Sequence, residues 1–358
     1  MAALESVRVL ELASVLAGPL AATALAERGA HVTKVERPPS GDVTRSWKGA
    51  NEDPELDISA YYEAANGAKQ LEWMDLGSDK GQEWLEKQLA SHDVLIENFK
   101  SADLEKFNLQ PHAVATRHPH LIRVRLVGFN NAPDRLAYDA VVQAETGFMH
   151  MNGETNGPPL RMPVALMDVL ASHQIRLAAL EGLLDRSQGG TGFFAEVSLA
   201  GSGVTALVNQ GTNWLVAENS PQRNSGLHPN IAPYGDVLFC KNGHLVLAIG
   251  NSRQFEGLCN VLQCLELLTD PRFDSNQLRV THREELMKTL NYASASWEKI
   301  PLELALRGAG APAGVVRTIQ EVLDPNGPNT EWIQTNPSGS KRPAAIAYRV
   351  QHFGDNPR

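Results

Sequence analysis

The sequence contains few cysteines and lacks an uninterrupted apolar run long enough to cross a membrane. Only three of its 358 residues are cysteine, and no two of them form a C-x-x-C pair. A disulfide framework is therefore not expected, and a reducing, cytoplasmic location fits this use of cysteine. The most apolar early stretch, residues 9–26, is interrupted by a glutamate, a serine and a proline. Neither a signal peptide nor a membrane partner is predicted from this pattern.

Positive charge is also scarce. The chain carries 32 lysines and arginines against 41 aspartates and glutamates, and its formal net charge is −9. Because no basic block interrupts this acidic balance, nucleic acid is not an expected partner. A small anionic ligand remains compatible, since a few cations and a helix N-terminus suffice to hold a phosphate.

Several common site motifs are absent as well. The sequence has no G-x-G-x-x-G dinucleotide fingerprint, no P-loop and no G-x-S-x-G nucleophile elbow. The eleven histidines include the pair in His118-Pro119-His120, but a bend at proline does not place two ligands on one face. No metal site and no permanently bound cofactor are therefore predicted.

The first half of the chain contains strand patterns that alternate with helix patterns. Residues 7–12, 31–36, 93–97 and 121–127 read as short buried strands, and residues 20–27, 80–90 and 169–184 read as helices. Residues 196–207 are ambiguous. This alternation predicts an α/β fold with a parallel sheet.

A loop-rich stretch at 219–235, with three prolines, predicts a domain boundary. We expect a large domain over 1–218 and a smaller α+β domain over 219–325. In the smaller domain, a strand is predicted at 245–249 and helices at 254–262, 283–293 and 302–307. A tail over 326–358 is expected to return to the large domain, with a strand at 343–350.

Two loops at predicted strand ends are candidate anion sites. Ala17-Gly18-Pro19 follows the first strand and opens a helix, where free N–H groups attract anions, although taken alone it is better explained as a tight turn between strand and helix. Arg37 and Arg45 follow the second strand, where ligands of parallel sheets bind, although a solvated charged loop has the same composition.

Asp168 is the candidate reactive carboxylate. It stands in the apolar frame PVALMDVLA, residues 163–171, which predicts partial burial. Burial raises the pKa of a carboxyl group and removes its hydration shell. The alternative interpretation is a helix N-cap, because aspartate favours that position and a long helix follows.

Six segments, in order, together resemble the class III CoA-transferase family, also called the CaiB–BaiF family. They are VLELASVLAGP through VTKVERPPSGDVTR (9–45), the weakened NGAK segment through Asp75-Leu76, HDVLIENFKSADLEKF (92–107), the AYD through QA and Gly segment (137–147), NGPPLRMPVALMD (156–168), and HPNIAPY with GNSRQF (228–255). Each is weak alone, but their order over residues 5–325 is characteristic. The chain departs from the family pattern mainly in its glycine loop, which reads GFNNAP at 128–133.

The resemblance implies a fold and a site. It implies a Rossmann-like large domain plus a smaller α+β domain, in a homodimer whose subunits form interlocked rings. Asp168 would be the catalytic nucleophile, and acyl-CoA with a small carboxylic acid would be the substrates. The residues that would bind coenzyme A are Val15, Leu16, Ala17, Arg37, Lys69, Asn98, Phe99, Lys106 and Tyr138.

The chemistry implied is transfer of CoA through an acyl-aspartyl anhydride, which conserves the energy of the thioester without ATP. Two alternatives remain open. A 2-methylacyl-CoA racemase shares the fold, but it needs a second base and carries a histidine where this chain has Tyr138. A catalytically silent CoA-binding protein is the other alternative, and the altered glycine loop is its main support.

Overall fold

The computed structural model describes residues 2–351 of the chain. These residues form two compact units, one of residues 2–148, 161–212 and 328–351 and the other of residues 149–160 and 213–327. We call them the large and the small unit. The predicted large domain, 1–218, differs from the large unit, because residues 149–160 and 213–218 belong to the small unit. Across residues 2–351, no helix combines the length and the apolar character that a bilayer crossing needs.

A six-stranded sheet, parallel throughout, forms the centre of the large unit. Its spatial order is β3-β2-β1-β4-β5-β6, so the direction of strand addition reverses between β1 and β4. This agrees with the predicted Rossmann-like sheet. Four strands were predicted, whereas β3 and β6 were not. The strands are β1 (Arg8–Glu11), β2 (His31–Glu36), β3 (Gln70–Trp73), β4 (Val94–Glu97), β5 (Ile122–Val127) and β6 (Phe194–Ser198).

Helices cover both faces of this sheet. Successive strand residues point to opposite faces, so Val9 joins a core with the helices Ala17–Glu27 and Leu166–Ser187, while Leu10 joins a core with the helix Asp79–Ser91. Helix α1 begins at Ala17, earlier than the predicted Leu20, because Pro19 is tolerated inside a first turn. The helices of the large unit are α1 (Ala17–Glu27), α2 (Ala60–Asn66), α3 (Asp79–Ser91), α4 (Ser101–Lys106), α5 (Pro111–Arg117), α6 (Asp139–Glu145), α8 (Leu166–Ser187) and α9 (Leu199–Thr205). Two further helices, α7 (Phe148–Met151) and α10 (Val208–Ala217), each have residues in both units.

The small unit contains an antiparallel three-stranded sheet with helices packed against it. The predicted strand and three helices are present, each with slightly different ends. The strands are β7 (Tyr234–Cys240), β8 (Gly243–Ala248) and β9 (Ala313–Val315), and the helices are α11 (Ser252–Leu262), α12 (Asn276–Thr281), α13 (Arg283–Ser294), α14 (Lys299–Gly308) and α15 (Ile319–Val322).

The tail belongs to the large unit, but the strand predicted at 343–350 is wrong. The short strands β10 (Ile333–Thr335) and β11 (Lys341–Pro343) pair antiparallel instead. Beyond them, the backbone N–H groups of Ala345 and Ile346 donate to the Glu27 carboxylate at 3.0 Å. A side chain of α1 therefore satisfies these groups where a neighbouring strand was expected.

Candidate functional site

The loops that follow β1 and β4 meet at the switch point of the sheet. The Asn98 side chain joins them, because its Oδ1 accepts the Ser14 N–H at 3.1 Å and its Nδ2 donates to the Ser14 carbonyl at 3.1 Å. Ligands of open parallel sheets bind at the carboxyl ends of the strands where the order reverses. The topology thus places the candidate site around Ser14 and Asn98.

A cavity of about 380 Å³ opens on one side of this junction. Four cationic side chains line it, those of Lys34, Arg37, Lys100 and Lys106, together with the carboxylates of Glu36, Asp42, Asp75 and Asp103. Lys34 is buried in ion pairs with Glu11 and Asp42, so the other three are the cations that a ligand could contact. Arg37 is exposed, and its contact with Asp75 is long at 4.0 Å. Such a weak pair leaves the guanidinium available for a phosphate. We call this space the cationic cavity.

A second cavity, of about 170 Å³, contains the candidate nucleophile. We call it the aspartate cavity. Val15, Ala17, Tyr138 and Asp168 line it, and Tyr138 is largely exposed. The two cavities share four lining residues, so they adjoin along the ends of β1 and β4. The shared residues are Ser14, Asn98, Phe99 and Lys100.

Asp168 lies in the first turn of α8, but it is not the N-cap. The N-cap position is occupied by Ala165, so the N-cap interpretation of Asp168 is wrong. Burial and the negative charge of Asp139 raise the pKa of the Asp168 carboxyl group to about 7, and a hydrogen bond from the Ala17 N–H acts in the opposite direction. A carboxylate with this pKa is poorly hydrated, yet ionises near neutral pH.

Asp139 fixes the start of α8, a role that the sequence did not indicate. Its Oδ1 accepts the Met167 N–H at 2.8 Å, and its Oδ2 accepts the Gln143 side-chain N–H at 2.7 Å. Arg161 lies 3.7 Å from the same carboxylate. The sequence offered one indication of this network, which is that all four residues lie in the two family segments at 137–147 and 156–168.

Lys69 and Leu16 line neither cavity. The Lys69 ammonium is buried in an ion pair with Glu11, and it donates to the Pro19 carbonyl at 2.8 Å and to Asn66 at 3.0 Å. Burial lowers the Lys69 pKa to about 7, although Glu11 opposes this shift. Leu16 is the N-cap residue of α1. A direct contact of either residue with coenzyme A stays a prediction.

Arg45, proposed above as a possible phosphate ligand, is engaged inside the fold. Its Nε donates to Glu36 at 2.6 Å, and its guanidinium stacks over Tyr62 at 4.0 Å. Arg45 therefore has partners within the fold, and its contact with a phosphate stays a prediction. Arg37, eight residues earlier, is the cation of this segment that faces a cavity.

Tyr61 lies near the nucleophile and was missed from the sequence. Burial raises the pKa of its hydroxyl to about 12, and the charges of Asp168 and Asp139 add to this shift. Its ring contacts Trp47 edge-on, with centroids 5.1 Å apart. More than a hundred residues separate Tyr61 from Asp168, so no local pattern announces their proximity.

Comparison with known proteins identifies the family of the chain. The profile of CoA-transferase family III matches residues 4–355. Succinate–glutarate CoA-transferase of Agrobacterium fabrum is 35% identical over 326 residues, covering 89% of this chain and 81% of that protein. Human succinyl-CoA:glutarate CoA-transferase is 32% identical over 329 residues, covering 89% of this chain and 73% of that protein.

Solved structures agree with the sequence matches. A CaiB/BaiF family protein from Brucella suis superimposes with a TM-score of 0.84 and 31% identity, covering 99% of this chain and 93% of that one. Both the family profile and the structural superposition cover nearly the whole chain, so the likeness does not depend on a single motif. The chain therefore belongs to CoA-transferase family III and is an enzyme of that family.

Proposed function

We propose that Asp168 is the nucleophile of a CoA transfer that proceeds through an acyl-aspartyl anhydride. The observation that carries this proposal is the position of Asp168, whose buried carboxylate lines the cavity that adjoins the cationic cavity. Coenzyme A has a phosphorylated nucleotide at one end and a thiol at the other. With the nucleotide among Arg37, Lys100 and Lys106, the thioester would extend past Asn98 and Phe99 toward Asp168.

The reaction is two exchanges on one carboxylate. An Asp168 oxygen attacks the thioester carbonyl, the C–S bond breaks, and an acyl-aspartyl anhydride and CoA thiolate result. The thiolate attacks the Asp168 carbonyl, releasing the donor acid and leaving an aspartyl-CoA thioester. The acceptor carboxylate then displaces the thiolate to form a second anhydride. Attack of the thiolate on the acceptor's carbonyl gives the new acyl-CoA and free Asp168.

Proximity and exclusion of water account for the rate. A carboxylate is a weak nucleophile in water, and burial of Asp168 removes part of its hydration. Holding it against a bound thioester supplies an effective concentration that reaches about 10⁵ M in well-oriented systems. The same enclosure protects the anhydride from hydrolysis.

Dicarboxylic acids are the substrates we propose to test first. The relatives named above act on succinate and glutarate. In this chain, Arg135 lines the aspartate cavity and forms an exposed ion pair with Glu145, and its guanidinium suits the second carboxylate of such an acid. The racemase and the silent binder gain no such support, because the matched relatives are named as transferases.

The test is intact-mass spectrometry after incubation with succinyl-CoA, glutaryl-CoA and acetyl-CoA. We expect a covalent adduct on Asp168, and hydroxylamine should cleave it and leave a hydroxamate there. Asp168→Asn should lose the adduct and at least about 1,000-fold of transferase activity. Absence of an adduct with every donor, while CoA still binds, would overturn the mechanism. Exchange of an α-proton without an acceptor acid would favour the racemase.

We also propose the interlocked homodimer. Large apolar side chains on α8 and α10 are exposed in the single chain, which is typical of surfaces that a partner covers. Sedimentation should give twice the chain mass, and Leu177→Asp should weaken that assembly; a monomeric wild type would contradict the proposal. These exposed side chains are Leu177, Leu180, Leu184, Trp214, Leu215 and Val216.

A further inference from the structure

Val15 has a backbone conformation that valine rarely adopts. Its φ angle is +73°, in the left-handed region. A side chain branched at Cβ is strained there, because the Cβ crowds the backbone carbonyl that follows. The residue lies in the loop between β1 and α1 and lines the aspartate cavity. Strain retained beside a reactive group requires specific contacts that hold it.

The Asp42 carboxylate is the contact that holds Val15. The Val15 N–H donates to both of its oxygens, at 3.4 Å to Oδ1 and 3.2 Å to Oδ2. Asp42 is itself buried and fixed from the other side. It accepts hydrogen bonds from the Lys34 ammonium at 3.1 Å, the Thr44 N–H at 3.0 Å and the Thr44 hydroxyl at 2.8 Å.

The effect of this contact reaches the nucleophile through two residues of chain. Ala17 begins α1 and lines the aspartate cavity together with Asp168, where its N–H favours the anionic form of that carboxyl group and so lowers its pKa. The direction of that N–H depends on the path of the chain from Ser14 to Ala17. Asn98 fixes this path at Ser14, and Asp42 fixes it at Val15. Among the described contacts, Asp42 is the only acceptor of the Val15 N–H, so its loss would remove the hydrogen bonds that hold Val15 at this φ angle.

We propose that Asp42 is a positioning residue for the transfer reaction: it holds Val15 in the left-handed conformation and thereby places the Ala17 N–H against Asp168. This inference rests on the proposed role of Asp168 as nucleophile. Asp42 lines the cationic cavity, but its side chain is only 1% exposed and is held by Lys34 and Thr44, so it offers almost no surface to CoA and its effect is expected on the rate of acylation.

The experiment is a double-mutant cycle with Asp42→Asn and Val15→Gly. We expect Asp42→Asn to slow formation of the Asp168 adduct about tenfold, with the Kd for CoA changed less than about twofold. Glycine adopts a positive φ without strain, so Val15→Gly in the Asp42→Asn background should restore part of that rate. If the double variant instead loses rate by the product of the two single losses, the proposal is overturned. An aspartate that only stabilises the fold would give that result, because Val15→Gly would then restore no rate.

Asp93→Asn is the matched control, because Asp93 also accepts a backbone N–H, from Arg8 at 2.7 Å, and pairs with Arg186. It precedes the first residue of β4, so it lies at the amino ends of the strands, whereas the site lies at their carboxyl ends. Its loss should lower the unfolding midpoint and leave the rate of adduct formation unchanged. If Asp42→Asn does not fold, Thr44→Val removes one of the bonds that orient Asp42 while keeping its charge. That variant should slow the adduct about threefold.

A second readout separates this inference from the proposed transferase mechanism. Hydrogen exchange of the segment 13–18, measured without any acyl donor, should be faster in Asp42→Asn than in wild type and unchanged in Asp93→Asn. Unaltered exchange in Asp42→Asn would overturn the positioning role even where wild type forms its adduct. If wild type forms no adduct but the segment still exchanges faster in Asp42→Asn, the contact between Asp42 and Val15 is supported and the role of Asp168 as nucleophile is disproved.

Discussion

Ala17, the first residue of α1, and Asp168, in the first turn of α8, line the same cavity, so the beginnings of these two helices meet at the reactive group. The two effects on this carboxyl group oppose each other. Burial and Asp139 favour its protonated form, and the Ala17 N–H favours the anion. The resulting pKa of about 7 makes the nucleophile sensitive to pH in the physiological range.

The first prediction concerns the pH dependence of acylation. Only the anion of Asp168 attacks, so the rate of adduct formation should rise with pH through about 7 and level off above it. Asp139→Asn removes a neighbouring negative charge and should move this midpoint to lower pH. Rapid-quench mass spectrometry from about pH 5 to 9 measures both curves. A midpoint unaffected by Asp139→Asn would contradict the electrostatic assignment, and Asp93→Asn serves as the control.

The second prediction concerns stability. The folded-state pKa of Asp168 lies above the ordinary value of 3.8, so the folded protein favours the protonated form. Stability is therefore lost as pH rises from about 4 through 7, where the unfolded chain ionises first. A pKa of about 7 in place of 3.8 sets an upper limit of about 4 kcal/mol on this loss.

Asparagine has the same shape and does not titrate. Asp168→Asn should therefore unfold at a higher urea concentration than wild type at pH 8, and this gain should shrink toward pH 4. Urea unfolding at several pH values checks it. A difference that stays constant with pH would show that Asp168 titrates normally in the fold.

The strands of the sheet were predictable because they are short, apolar and separated by helical periodicity. Val9 and Leu10 lie in a run that only a strand buried on both faces explains. The edge strand β3 was missed because its sequence, QLEW, is half polar and half-buried. The start of α1 was placed late because the pattern was read from Leu20, while Pro19 fits within the first turn.

The candidate site was predictable only where its residues belong to recognised segments. Asp168, Asn98 and Arg37 fall in such segments, and the structure places each on one of two adjoining cavities. The contact of Asp42 with Val15 depends on a backbone angle, which no residue pattern in this loop announces. Burial of Lys69 depends on Glu11, far away in sequence, and is a property of tertiary structure alone.

The third prediction concerns CoA affinity. Arg37→Ala and Lys106→Ala each remove a cation from the cationic cavity, and each should weaken CoA binding about tenfold at low salt. The effect should diminish as salt screens the phosphates. Isothermal titration at two ionic strengths measures it. Lys87→Ala, an exposed lysine of α3 that lines neither cavity, is the matched control. Equal losses of CoA affinity in all three variants would indicate that overall charge attracts CoA and that the cationic cavity is not a specific binding site.

The last prediction tests the close approach of α1 to the end of β1. A Cβ added at Gly18 would lie 2.5 Å from the Cβ of Ala13, a short and rigid neighbour. Gly18→Ala should therefore displace the first turn of α1, separate the Ala17 N–H from Asp168, and slow adduct formation about tenfold. It should also lower the free energy of unfolding by about 1–3 kcal/mol.

The control for Gly18→Ala is Gly308→Ala, at the end of α14. A Cβ there meets nothing within 4 Å, and alanine favours the helix over glycine. That variant should react at the wild-type rate and be as stable as wild type or slightly more so. Adduct kinetics and urea unfolding on both variants decide the matter. If Gly18→Ala loses stability but reacts at the wild-type rate, the hydrogen bond from Ala17 does not govern the reactivity of Asp168.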